Sequence, residues 1–228
     1  MKRYYLALGF LVGCTGAALA QTSPQPGFSA GDTVVRLAAT GIMPLATGSH
    51  IDAIGGTVDV TSTPAPEADL SYFVTDNISV QLIATATRHE LSANNTALTG
   101  LLGSKIDLAS TYVLPPAVVA QWNFFPHAAL DPYVGAGIDF LFPFDTQANK
   151  LALPGVGQVV QKVGLSTAVG PTFDVGINYN ISGPWFINVD YKQILDRVDA
   201  RIHTALGLVK AHVDLDPAVL SAGIEYRF

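Results

Sequence analysis

Eight charged side chains stand at alternate positions of otherwise apolar stretches: Arg36, Glu67, Asp69, Asp139, Asp174, Asp190, Glu225 and Arg227. That many ionised groups cannot be buried in a dry core without partners. Acids and cations sharing one small interior can pair, so Arg36, Arg227, Glu67, Asp69 and Glu225 are expected to meet across a common lumen. Such chemistry is structural. Covalent catalysis needs a nucleophile with a base held beside it. The five histidines, His50, His89, His127, His203 and His212, fall in loops, turns or strand ends, and none is spaced with a Ser and an acid. No enzyme and no catalytic residue is expected, and the histidines are too scattered for a metal site. No cofactor is implied either. Gly135-Ala-Gly137 lies within a strand pattern rather than before a helix, so it does not read as a phosphate cradle. A formal charge of −6 without a basic stripe excludes nucleic acid as a partner.

The elements that position these charges are strands, because their pattern has period two. Strands are expected at about Asp32 to Gly41, Glu67 to Val74, Ile78 to Thr87, Thr111 to Phe125 and Tyr133 to Phe142. A sixth carries Val169, Phe173, Val175, Ile177 and Tyr179 on one face and Gly170, Thr172, Asp174, Gly176 and Asn178 on the other. A seventh sets Trp185, Ile187, Val189 and Tyr191 against Asn188, Asp190 and Lys192. The eighth is Ser221 to Phe228. Met43 to Pro66, Arg88 to Ser110, Pro143 to Leu165 and Ile194 to Val213 are expected to be long excursions, with a short helix within Leu98 to Leu108.

Long and short connections therefore alternate between eight strands, as in outer-membrane barrels with long extracellular loops and short periplasmic turns. A soluble barrel would bury its apolar face and show its polar one. Here the charges need the interior, so the apolar face must meet lipid. The fold expected is all-β, an eight-stranded antiparallel transmembrane barrel. Tyr72, Trp122, Phe124, Tyr179, Trp185, Tyr226 and Phe228 then gather near the periplasmic turns as an aromatic girdle.

Residues 1–20 read as a cleaved signal peptide: Lys2 and Arg3, an apolar run, then Ala18-Leu19-Ala20. Cleavage removes Lys2 and Arg3, taking the charge from −6 to −8, and removes the single cysteine, Cys14. Leu11-Val12-Gly13-Cys14 also has the form of a lipoprotein box, in which case Cys14 would be acylated. Residues 21–31 make a Pro-rich periplasmic lead-in, and 32–228 make the barrel. The final octapeptide, with Gly223, Tyr226 and Phe228, has the form of a signal for the barrel-insertion machinery.

Four stretches together resemble the outer-membrane protein W (OmpW) family: Thr75-Asp-Asn-Ile-Ser-Val80; Leu114-Pro-Pro-Ala117 running to Gln121-Trp122; Pro132-Tyr-Val-Gly-Ala-Gly-Ile138; and Leu215-Asp-Pro217 running to the terminal octapeptide. The resemblance covers most of the mature chain and keeps the motif order. It implies an eight-stranded barrel in the outer membrane of a Gram-negative bacterium, among outer-membrane lipid and lipopolysaccharide. It also implies passage of small hydrophobic molecules through a narrow apolar channel with a sideways opening toward lipid. The third loop departs from the family pattern: Leu151, Leu153, Val156, Val159, Val160 and Val163 make Asn149 to Gly164 apolar, and no family gate residue is carried over.

Pro115 and Pro116 lack backbone N–H groups, so the fourth strand must lose ladder bonds there. They mark either the start of that strand or a lateral exit, and Pro171 is placed similarly in the sixth. Phe73, Ile83, Phe186 and Val219 have inward parity and, with the apolar loop, are candidates for a hydrophobic vestibule and constriction. Eight strands enclose just enough room for side chains to fill. The alternative is therefore a plugged structural or adhesive barrel whose extracellular loops bind partners.

Overall fold

The computed structural model describes residues 27–45, 50–51, 55–95, 105–149, 152–153, 157–158, 160–205 and 207–228. Its frame is eight antiparallel strands: β1 (Thr33–Met43), β2 (Thr63–Phe73), β3 (Ile78–Thr85), β4 (Ala117–Asn123), β5 (Leu130–Ala148), β6 (Ala168–Ser182), β7 (Trp185–Ile194) and β8 (Ala218–Arg227). Each pairs with its neighbours in sequence, and β8 returns to pair with β1, closing the barrel. Closure is what lets strands cross lipid, since no edge is left with unpaired backbone groups. Side chains alternate as the sequence requires. Leu37, Leu70, Leu82, Ile138, Phe173, Ile187 and Ile224 are exposed on the outer wall, while Arg36, Glu67, Asp69, Asp139, Asp174, Asp190 and Glu225 are buried within.

The short connections are tight. Ile78 N donates to Thr75 Oγ1 at 2.9 Å in the first, and Gly183 supplies a φ of +54° in the last. Close packing rests on glycine at several places, Gly137 and Gly176 among them. A Cβ at Gly137 would lie 2.0 Å from the Val118 carbonyl oxygen, and one at Gly176 would lie 2.5 Å from the Tyr133 ring.

The long connections differ from expectation. Most of what reads as loop continues the wall upward as further strands: Thr57–Val60, Thr87–Asn94, Lys105–Leu114, Val160–Leu165, Arg197–Thr204 and Gly207–Asp214. Of the expected helix, Lys105 to Leu108 is strand, and Leu98 to Ser104 lies outside the described residues. The extension encloses its own apolar core, with Ile51, Val58, Leu91, Ile106, Leu108, Val160, Val163, Ile202 and Val213 buried together. Val160 and Val163 of the apolar third loop therefore point inward. The expected fourth strand is split at Pro115–Pro116 into Lys105–Leu114 and Ala117–Asn123.

Gly137→Ala should force β4 and β5 apart, because the obstacle is backbone. Overpacking of this kind costs roughly 1–3 kcal/mol. Gly41→Ala has free space, its nearest neighbour being 4.0 Å away. In lipid vesicles, heat-modifiable gel migration should show reduced folding for the first variant and unchanged folding for the second; equal folding would contradict the packing described.

Candidate functional site

The interior is stacked in three layers, because each strand brings its inward residues to fixed heights. At the periplasmic end Phe28 is sandwiched between Phe73 and Phe186, with ring centroids 4.5 and 4.4 Å away, and Val34 completes the cluster. Phe28 belongs to the segment before β1. Phe28 N donates to the Pro126 carbonyl at 2.6 Å, Gly31 N donates to the Phe73 carbonyl at 2.8 Å, and Ala30 N donates to Asp76 at 2.8 Å. Nothing in the sequence before β1 signalled this stopper apart from a lone aromatic in a polar stretch.

Above it lies a hydrogen-bonded layer centred on Arg36. Its guanidinium donates to Asp69 from Nε, to Glu67 from Nη2, and to Asn188 and Asp190 from Nη1. Lys192 donates to Asp190 at 2.5 Å, to Glu67 at 3.0 Å and to Ser221 at 3.3 Å. Asn188 donates to Asn178 at 2.6 Å and to the Tyr133 hydroxyl at 3.1 Å. Gln121 joins Asp174 and Gln81, each at 2.9 Å. The residual cavity between this layer and the aromatic stopper is about 10 Å³, close to one water.

Third comes a chamber of about 90 Å³ walled mainly by Ile42, Ile83, Val113, Leu141, Ile194 and Val219. His89 is at its upper rim, its Nδ1 2.8 Å from the Thr61 carbonyl and its Nε2 2.9 Å from Thr87 Oγ1. Burial lowers the His89 pKa from its usual 6.5, so the ring is neutral at pH 7.

The expected sites are thus redistributed. Arg36, Glu67, Asp69 and Asp190 do meet. Lys192, on the polar face of β7, completes that network although the pattern of eight charges leaves it out. Arg227 is not in it: it sits at the periplasmic mouth, 3.7 Å from Asp32 and 5.9 Å above the Phe186 ring. The reason is height, for Arg227 is at the lower end of β8. Glu225 is opposite Arg36 in the ladder but keeps a carboxylate oxygen without a hydrogen-bond partner. Asp139 is higher, beside Asp196, away from both cations. The four apolar candidates also separate. Phe73 and Phe186 hold the stopper, Ile83 and Val219 line the chamber, and the charged layer lies between them.

The two proline positions differ. β3 and β4 pair as far as Ile83 opposite Ala117, and pairing resumes only at Thr87 opposite Val113. Between these points Ala84 to Ala86 faces Leu114 to Pro116 without ladder pairs. The other edge stays joined, Phe140 N donating to the Pro116 carbonyl at 2.9 Å. Pro115 borders the chamber directly. Pro171 instead turns outward, opposite Ile138, and its carbonyl accepts from Leu195 N at 3.0 Å, so the wall there is not breached.

A family model described as the OmpW family matches residues 29–228. The chain belongs to the OmpW family. Outer membrane protein W of Escherichia coli (strain K12) is 31% identical over 223 residues, covering 94% of this chain and 98% of the relative. The dibenzothiophene metabolism operon protein PahQ of Pseudomonas aeruginosa is 23% identical over 174 residues, covering 76% of each. The crystal structure of outer membrane protein OprG from Pseudomonas aeruginosa shares the fold, with a TM-score of 0.79 at 22% identity, covering 89% of this chain and 98% of that one. As an OmpW-family barrel, the protein resides in the outer membrane, with lipid around its apolar wall.

Replacing Arg36 by Met leaves Glu67, Asp69 and Asp190 facing one another with Lys192 alone. Loss of one member of a buried ionic cluster costs about 3–5 kcal/mol. Urea unfolding in lipid vesicles should show that loss, and neutralising Asp69 and Glu67 together in the Arg36→Met background should recover part of it. An Arg36→Met barrel as stable as the wild type would show that the cluster does not hold the wall.

Proposed function

We propose that this barrel passes small apolar molecules from the cell surface into the plane of the outer membrane. The observation that carries the proposal is the position of the apolar chamber: it lies above a charged, hydrogen-bonded floor and against the one proline-caused lapse in the β3–β4 ladder. A hydrocarbon moving downward would have to displace the Arg36 layer and then the Phe28 stopper. Burying the solute among ions gains nothing, and freeing the ions from their partners costs several kcal/mol. Moving sideways, it meets Pro115 and Thr85, with the small Ala84 and Ala86 on the outer face, where no ladder pair obstructs it. On the lipid side are the exposed Leu82, Leu114 and Val118. The membership of a relative in a dibenzothiophene metabolism operon agrees with an apolar cargo.

A second reading, a plugged barrel acting through its extracellular extension, is favoured by the small volume of the chamber. About 90 Å³ admits only a small molecule without movement of the walls. Solute flux separates the two.

Replacing both Pro115 and Pro116 by Val restores the missing donors. Each ladder bond regained contributes roughly 0.5–1.5 kcal/mol to holding the wall shut. Uptake of a medium-chain alkane by cells carrying the double variant should fall toward the rate of cells lacking the protein. Unchanged uptake would rule out the sideways exit, and no acceleration by the wild type would favour the plugged barrel.

A further inference from the structure

One corner of the chamber is polar and is not part of the Arg36 layer. Asp139 on β5 and Asp196, just past the end of β7, are each only 1% exposed, as is Thr172 on β6. All three line the chamber. With both carboxyl groups ionised, Asp139 Oδ1, both oxygens of Asp196 and Thr172 Oγ1 have no hydrogen-bond partner. The two carboxyl groups are close enough for one shared proton to join them, which still leaves the remaining acceptor positions and Thr172 Oγ1 without a partner. Among the described residues neither forms an ion pair, since Arg36 is held by Glu67, Asp69 and Asp190 and Lys192 by Glu67 and Asp190. The backbone makes room for this corner. A Cβ on Gly170 would lie 2.1 Å from Asp196 Oδ1, and Gly170 is opposite Asp139 in the ladder. Asp139 is also opposite Ala117, the residue after Pro116. The polar corner therefore adjoins the lapse in the wall.

Buried acceptors without donors are expensive, and a carboxyl pair in an apolar setting calls for hydrogen-bond donors. We propose that Asp139, Asp196 and Thr172 hold the head of a short amphipathic solute whose end donates hydrogen bonds, a primary ammonium or an alcohol, with its carbon chain in the chamber. The corner turns away carboxylates, which would set a further anion against the acid pair. This deepens the conduit reading and rests on it for flux, but binding at the corner stands apart. Alkanes enter the chamber without using the corner; ammonium and hydroxyl heads are selected by it. Selection thus occurs beside the exit, after entry.

The test uses the folded mature barrel in lipid nanodiscs, with backbone amide spectra recorded during titration with butylammonium, butan-1-ol, butyrate and pentane, short chains suited to the cavity. Butylammonium should shift amides around Asp139, Thr172 and Asp196 and bind about tenfold or more tightly than pentane, the gain expected of a charge-assisted hydrogen bond. Butan-1-ol should fall between them, and butyrate should leave those amides unmoved. In Asp139→Asn/Asp196→Asn the preference for butylammonium over pentane should vanish while pentane affinity is kept. Thr172→Val, which keeps both acids, provides a milder variant, with butan-1-ol weakened most. Equal affinity for all four probes, or a preference that survives the asparagine variants, overturns the proposal. Alkane uptake by cells tests the conduit separately: selective binding without uptake would reject the conduit and leave the corner, whereas uptake without selective binding would reject the corner alone.

Discussion

The position of one guanidinium organises the inside of this barrel. Arg36 lies in β1, yet its donors reach acids on β2 and β7, so it ties together four consecutive strands of the barrel, β7, β8, β1 and β2. A planar fork with five donors suits that task, whereas an ammonium would satisfy fewer directions. Lys192 binds two of the same acids from β7. With lipid outside, there is no solvated face to which these charges can turn. Their mutual satisfaction is the condition for closing the wall around them. A one-residue slip in any of these strands would expose a charge to lipid and bury a Leu or Ile, so the cluster also enforces register.

From that layer the division of the interior follows. Groups at its height are committed to one another and leave almost no space. Below, three stacked aromatic rings close the mouth with the help of the segment before β1. Above, the strands carry Ile42, Ile83, Ile194 and Val219 inward, and an apolar volume remains. A barrel of eight strands filled evenly would have no route at all. This one is filled at the bottom and middle, and its free volume is at the height where the β3–β4 ladder lapses.

The membrane part of this arrangement was legible from sequence because lipid lies on one side only, which forces period two on every strand. The alternation of Val175, Ile177 and Tyr179 with Asp174, Gly176 and Asn178 is the direct imprint of that asymmetry. The extension was not legible. Above the membrane the outer face meets water and tolerates Thr, Gly, Lys and His, so Arg197–Thr204 and Gly207–Asp214 pass for polar excursions although they are paired throughout. Site residues divide in the same way. Arg36, Asp69 and Pro115 announced themselves by being wrong for their surroundings: charges in apolar strands and prolines in a ladder. Phe28 and Asp196 lie just outside the alternating runs, where parity carries no information, and only the closed barrel reveals what they touch. Grouping Phe73 and Phe186 with Ile83 and Val219 failed for a related reason. Parity gives the face of a residue but not its height.

Height is what couples the polar corner to the wall. Asp139 and Pro116 are on adjacent strands, one ladder step apart, and the Pro116 carbonyl is held by Phe140 N. The proline segment above β4 is therefore held on its β5 side and lacks ladder pairs on its β3 side. Any yielding of the wall at this point must swing the proline segment away from Ala84 to Ala86 while it remains attached to the strand bearing Asp139. A solute head resting on Asp139 would then be on the fixed side of the breach, and its carbon chain would face the side that parts. Arg36 itself takes no ligand from β4 or β5, but Gln121 on β4 and Tyr133 on β5 join its layer, so only yielding confined to the proline segment above Ala117 would spare the layer beneath. Under the proposed route the charged floor, which lies below the proline segment, would stay closed to the periplasm while the wall above it yields toward the membrane.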